Sequence, residues 1–226
     1  MMESIIPFLK ELQQNNNREW FKSHKTKYEQ TRKEFEAFIE KVIAGISTFD
    51  TQVVGLTSKA SVFRIYRDVR FSKDKRPYKT HYGAFMAENG RKSSKAGYYL
   101  HIEPGNCFLG GGLYRPNSEQ LSKVRQQIDY DAARLREVVS EQQFKKTFGG
   151  LTGSQLKTSP RDYSGDHPDI DLLRFKDFLA THFFDDKIIN IGDAEYVVNR
   201  FKVMKPLNDY LNDALLFEDE EPQVNF

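Results

Sequence analysis

The chain has 226 residues, of which 38% are apolar and 29% charged, and its net charge is +2. A chain of this size can bury a sizeable core, its near-neutrality argues against a polybasic nucleic-acid binder taken as a whole, and no apolar run approaches the ~20 residues that span a bilayer. Cys107 is the single cysteine and has no partner for an internal disulfide, so a secreted disulfide framework is excluded and a cytoplasmic setting is expected.

The start, "MMESIIPFLKELQQNNN", has no basic region ahead of its apolar residues and no small-residue cleavage site, which argues against a secretory signal. Residues 4–14 read as a short helix with Ser4 as its cap and Phe8, Leu9 and Leu12 as an apolar edge. After "NNN" a long helix is expected from about Asn17 to Ile46, where Tyr28, Phe35, Phe38, Ile39, Val42, Ile43 and Ile46 recur at three- and four-residue steps. From about residue 60 the period becomes two. "SVFRIY", "YGAFMAE", "GYYLHIE" and "NCFLGGGLY" read as strands, with a further short strand possible at "QVVGL". Short connections, among them the turn "EPGN", favour antiparallel pairing.

After Pro116 the chain returns to helix. Asn117 or Ser118 caps one segment, and "DAARLREVVS" and "EQQFKKTF" make two more. A Gly/Ser/Pro-containing connector follows. "DIDLLRFKDFLATHFF" and "GDAEYVVNRFKVMKPLNDYLNDALLF" read as helical, with Pro206 a kink or break. Helices grouped on both sides of a block of strands predict a single α+β domain over residues 1–226, with a small antiparallel sheet at about residues 60–113 and an acidic tail at 218–226.

Charge is unevenly spread. Residues 59–95 hold eleven Lys or Arg against three Asp or Glu, a local +8, so with +2 overall the rest of the chain carries −6. The densest part is "RIYRDVRFSKDKRPYKTH", residues 64–81. Arginine forks suit phosphate and carboxylate oxygens, lysine adds point charge, and tyrosine stacks or hydrogen-bonds. The candidate ligand-binding residues are Arg64, Arg67, Arg70, Lys75, Tyr78 and Lys79. If the strand continued past Tyr66, Phe63, Ile65, Val69 and Phe71 would face the core, with Arg67 among them. An arginine so placed must be paired or line a cavity; Asp68 or a more distant acid is the available partner.

Other patterns carry less. "HIEPGNC" lacks the second cysteine of a zinc deaminase. "GGG" at 110–112 is neither a Walker loop nor a dinucleotide fingerprint; it reads first as a bulge or close backbone approach, and second as a place where a ligand nears main-chain amides. Asp166, His167 and Asp169 in "GDHPD" are thin for a metal site; Asp166 suits a turn and Asp169 a helix cap. No metal site and no cofactor are expected.

"FLKELQQNNNREWFKSHKTKYEQ", "FRIYRDVRFSKDKRPYKTHYGAF", "YYLHIEPGNCFLGGGLYRP" and "GDHPDIDLLRFKDF", in that order, resemble an uncharacterised family of bacterial and fungal conserved hypothetical proteins, a domain of unknown function. The resemblance runs over almost the whole chain. One departure is "LKTSPRDYSGDHP", where Asp162 replaces the glycine of a Pro-Arg-Gly-like turn. The resemblance implies one intracellular domain and brings no catalytic residues.

Three functions remain open. The first is binding of an anionic ligand (phosphorylated, nucleotide or, with weaker support, nucleic acid) through residues 64–81. The second is an enzyme acting on such an anion, with Asp68, His81, His101 or Glu103 as acid–base groups. The third is an interaction module whose basic stretch meets an acidic surface, for which "EDEE" at 218–221 is the nearest candidate.

Overall fold

A computed structural model describes residues 2–216. The acidic tail, and with it the pairing of "EDEE" to the basic stretch, lies outside the described residues.

The α+β class holds. The N-terminal layer is helical: α1 (Ile5–Gln14), α2 (Arg18–Ser23) and α3 (Lys25–Ile46). The helix expected over residues 17–46 is interrupted at His24, whose φ/ψ of −105°/16° leaves helical geometry. The cause is local. Asn17 caps the Trp20 amide, the Trp20 carbonyl is taken by Ser23 Oγ and contacted by His24 Nδ1 at 2.8 Å, and the His24 ring stacks on the indole at 4.1 Å. Beyond the break, α3 buries Tyr28, Phe35, Phe38, Ile39, Val42, Ile43 and Ile46, the stripe its spacing predicts.

"QVVGL" forms a 3₁₀ turn at Thr51–Val53 in place of a strand, and the short helix α4 occupies Ser58–Ser61. The strand expected at "SVFRIY" is also absent; residues 62–80 make only two isolated bridges, Val62 to Ala84 and Tyr66 to Tyr78. The sheet is β1 (Tyr82–Met86), β2 (Gly97–Ile102), β3 (Cys107–Leu113) and β4 (Phe178–Phe184), antiparallel throughout and in that spatial order. Its fourth strand therefore comes from "FLATHFF", which the apolar spacing had placed in a helix.

Between β3 and β4 lie α5 (Ser118–Tyr130), α6 (Ala133–Ser140), α7 (Gln142–Phe148) and the single turn α8 (Ile170–Leu173). Asn117 and Gln120 form a reciprocal capping box at the start of α5. Asp169 does not cap α8 with its side chain; its carboxylate pairs with Arg136 at 2.7 Å. His167 contacts Asp129 at 2.9 Å, so the "GDHP" side chains serve the turn and its neighbours.

The chain ends in α9 (Asp186–Ile191) and α10 (Ala194–Leu215). α10 packs on β2 and β3 and against α3, α5, α6 and α7. Pro206 lies inside it without ending it. A proline inside a helix costs about 3 kcal/mol through the lost hydrogen bond and the clash of its ring with the preceding turn, but Met204, Leu207, Tyr210 and Leu211 on both sides are buried and hold the two halves in place.

Alternation decides which strand residues enter this core. Ala84, Met86, Tyr98, Leu100, Leu109, Phe178 and Ala180 are buried toward the helices. Their sequence neighbours project from the opposite face. The pairing Gly83–His101–Phe108–Phe183 makes one row across that face, and Phe85–Tyr99–Gly110–Thr181 makes the next.

A candidate binding cleft on the open face of the sheet

These two rows floor a cleft of about 920 Å³. Aromatic rings dominate it. His101 stacks on Phe108 at 4.6 Å, Tyr99 packs on Phe108 at 5.7 Å, and Phe63 meets Tyr99 edge-on at 6.4 Å. Tyr114 and Phe183, also in the lining, are each 64% exposed, so apolar surface is open to a ligand.

β3 contributes backbone where side chains would fill the cleft. At Gly112, φ is +106° and a Cβ would stand 2.0 Å from the Phe178 carbonyl oxygen. At Gly111, on the core side, it would stand 2.6 Å from the Gly97 oxygen and 2.9 Å from Met204 Cγ. The "GGG" run is thus a close backbone approach, and Gly110 and Gly112 also open the cleft floor.

Four cations line the cleft: Lys79, Arg91, Lys95 and Arg115. Two are engaged. Arg91 donates to the carbonyls of Lys59 and Ala60 at 2.6 and 3.0 Å, and Lys95 pairs with Glu88. Neither of the other two has a carboxylate within 4 Å of its charged group among the described residues, although, against burial, the charge of Arg115 helps to lower the pKa of Asp177. Lys79 Nζ lies 5.3 Å from the centre of the Phe63 ring, and burial, with Arg64 nearby, lowers its pKa. Arg115 holds a left-handed backbone at φ 49°, fixed by its amide donating to Asp177 at 2.7 Å, and its guanidinium lies 5.1 Å over Tyr114.

At one end of the floor, His101 Nε2 is 3.3 Å from Glu103 Oε2, and His101 Nδ1 is 3.1 Å from the Tyr99 hydroxyl. Thr80 Oγ1 and Asn106 Nδ2 donate to Glu103, each at 3.0 Å. Burial opposes ionisation of Glu103, but the hydrogen bonds from Asn106, His101 and Thr80 outweigh it and hold its carboxyl below the usual range. Burial pushes the Tyr99 hydroxyl up to about 12. His81 faces His101 with ring centres 4.3 Å apart; burial, then His101 and Lys79, lower its pKa to about 4.

The six residues expected to bind an anion are dispersed. Lys79 lines the cleft. Arg64 is exposed outside it. Arg67 binds Asp74 at 2.7 Å and the Arg76 carbonyl at 3.0 Å; its partner is therefore Asp74, not the adjacent Asp68. Arg70 grips Asp68 through two hydrogen bonds of 3.0 and 2.7 Å, and Lys75 donates to the Val69 carbonyl at 3.0 Å. Tyr78 is buried and stacked on Phe21 at 3.9 Å. Phe71, expected to face the core, is 97% exposed. Of the four suggested acid–base groups, His81, His101 and Glu103 come together, and Asp68 stays with Arg70. Arg91 and Arg115 were missed because nothing local in the sequence ties them to Lys79; "GGGLYR" signals at most a backbone-lined surface ending in a cation.

Among the described residues, no helix is long and apolar enough to cross a membrane. No curated protein and no solved structure matches the chain. A family model does match it, over residues 4–210, and it is described as "Conserved hypothetical protein (DUF2461)". The chain with this aromatic, cation-flanked cleft therefore belongs to the DUF2461 family of conserved hypothetical proteins.

Proposed function

We propose that the protein binds a small anionic ligand with a flat or apolar body in the cleft on the open face of the sheet. The observation that carries this reading is the pair of cations with no carboxylate in ion-pair contact among the described residues, Lys79 and Arg115, lining a cleft of about 920 Å³ with an aromatic floor. Ligand sites commonly combine such an apolar lining with a few placed polar groups. An aryl or nucleoside phosphate, or an aromatic carboxylate, has the matching chemistry. A small molecule is favoured over a nucleic-acid strand, because much of the basic stretch outside the cleft is spent on its own acids and carbonyls. A cytoplasmic setting fits the single buried free thiol.

Calorimetric titration tests this with phenyl phosphate, adenosine monophosphate and benzoate, each against its uncharged parent. The charged member should bind and the parent should not. Lys79→Met and Arg115→Gln should each weaken binding about tenfold or more, since a hydrogen bond to a charged group contributes about 1.5–3 kcal/mol. A nucleic-acid partner would instead show steep salt dependence. Equal affinity of both variants and the native protein for every anion would overturn the reading.

A second reading, an enzyme acting on the same anion, is favoured by the Tyr99–His101–Glu103 chain on the cleft floor. A tyrosine hydroxyl backed by an imidazole and a carboxylate can pass a proton to or from a bound ligand. Loss of turnover with retained ligand affinity in Tyr99→Phe would mark that role.

A further inference from the structure

His81, His101 and Glu103 come from the segment before β1, from β2 and from the turn after it. They converge so that one ligand atom of each lies within 4.8 Å of the others. We propose that these three side chains form a binding site for a first-row divalent transition-metal ion such as Fe²⁺, Co²⁺ or Zn²⁺, with its remaining coordination positions open to the cleft.

The donor set carries the choice of ion. Two imidazole nitrogens and one carboxylate suit borderline transition metals better than Ca²⁺ or Mg²⁺, which take oxygen ligands. Three protein ligands with open positions are the arrangement of reactive metal centres, whereas structural sites close with four. The spacing is close to what an ion requires. Bonds of about 2.1 Å place neighbouring ligands roughly 3–3.5 Å apart, and His101 Nε2 and Glu103 Oε2 are already 3.3 Å apart. The widest separation, within 4.8 Å, has to close by up to about 1.3–1.8 Å. His81 can make that movement, because neither of its ring nitrogens has a hydrogen-bond partner among the described residues.

The surroundings orient the ligands. Metal-bound histidines engage their second nitrogen with a polar partner, and ligating carboxylates are themselves hydrogen-bonded. His101 Nδ1 meets the Tyr99 hydroxyl at 3.1 Å, and Thr80 and Asn106 hold the two Glu103 oxygens. The site stands independently of the anion reading.

The competing way to satisfy the His101–Glu103 contact is a proton, and a metal titration separates the two. Untagged full-length protein is stripped with chelator and titrated with Co²⁺ by absorbance and with Zn²⁺ by calorimetry. The expected result is one ion per chain, with visible ligand-field bands for Co²⁺. His81→Ala and Glu103→Gln should each weaken affinity at least about tenfold, and His167→Ala should leave it unchanged. His101 is avoided because its buried ring is part of the floor. Circular dichroism establishes that each variant folds; if His81→Ala does not, Glu103→Gln decides alone. Absence of stoichiometric binding, or affinity unchanged in the decisive variants, would overturn the proposal and leave a shared proton between His101 and Glu103.

Discussion

Asn212 of α10 reaches Ala96, the residue just before β2. Its Oδ1 accepts the Ala96 amide at 2.8 Å, and its Nδ2 donates to the Ala96 carbonyl at 3.2 Å. Both residues are buried, so water does not replace either bond. Asn212→Ala removes these two neutral hydrogen bonds of about 1 kcal/mol each, together with a longer third one from Nδ2 to Gln52 Oε1 at 3.4 Å, and leaves two backbone groups poorly solvated, for a total loss of about 2–4 kcal/mol. For a chain of this size, 1 kcal/mol moves the melting temperature by roughly 2–4 °C, so the expected drop is roughly 4–16 °C. Asn212→Asp is the sharper perturbation. It keeps the acceptor for the amide but turns a carboxylate oxygen toward the Ala96 carbonyl, and should destabilise at least as much despite its near-identical shape. Urea unfolding gives the free energies, and hydrogen exchange at the Ala96 amide reports the local bond. A loss under 1 kcal/mol in both variants, with unchanged exchange, would refute this reasoning.

Three further outcomes follow from the same geometry. Gly112→Ala, with φ +106° and a Cβ 2.0 Å from the Phe178 oxygen, should cost more than about 2 kcal/mol in urea unfolding, whereas Gly105→Ala, with φ +73° and open space around it, should cost only about 1 kcal/mol. Cys107 is 1% exposed and burial pushes its thiol up to about 12, so a thiol-disulfide reagent should label it at pH 8 only after denaturant is added; rapid labelling of the native chain would contradict its placement. His182 lies between the Thr147 carbonyl, the Tyr196 hydroxyl and Arg200 Nε, and burial, aided by the Arg200 charge against the opposing Thr147 carbonyl, lowers its pKa. The unfolded chain then takes up its proton at the higher pH, so the stabilisation is intact above the ordinary value near ~6.5 and declines as pH falls below it. The melting temperature of His182→Gln should therefore fall less between pH 7.5 and 5.5 than that of the native protein, and parallel curves would rule the linkage out.

Legibility of the fold followed how local each signal was. The α3 stripe, the "EPGN" turn between β2 and β3 and a cap at Asn117 or Ser118 for α5 are written within a few residues and were readable. β4 was not. Phe178, Ala180 and His182 do alternate with Leu179, Thr181 and Phe183, but Ile170, Leu172, Leu173 and Phe175 just before them extend an apolar spacing that also suits a helix. The opposite error occurred at "SVFRIY", where alternation is present but the chain folds back on itself through Arg67–Asp74 and Tyr66–Tyr78 without building a ladder.

The site shows the same division. Local charge counting pointed to residues 64–81, yet acids two to seven positions away absorb Arg67, Arg70 and Arg76. Lys79 was legible because it belongs to that stretch. Its counterpart Arg115 became visible only once the register of β1 to β4 set it on the same cleft. His81, His101 and Glu103 were legible as chemically capable groups, but their convergence depends on Gly83 pairing with His101.

The order of the strands also shapes how the chain is made. β3 is seven residues long, and its outer partner β4 begins at Phe178, about 65 residues after Leu113. At about 5–20 residues per second, a ribosome takes roughly 3–13 s to supply it. Throughout that interval the glycine-rich strand is an open edge, with amides and carbonyls free to pair with any extended segment nearby. The nascent chain thus has a vulnerable period built into its topology, and arrival of β4 ends it by covering the edge and completing the cleft floor in one step.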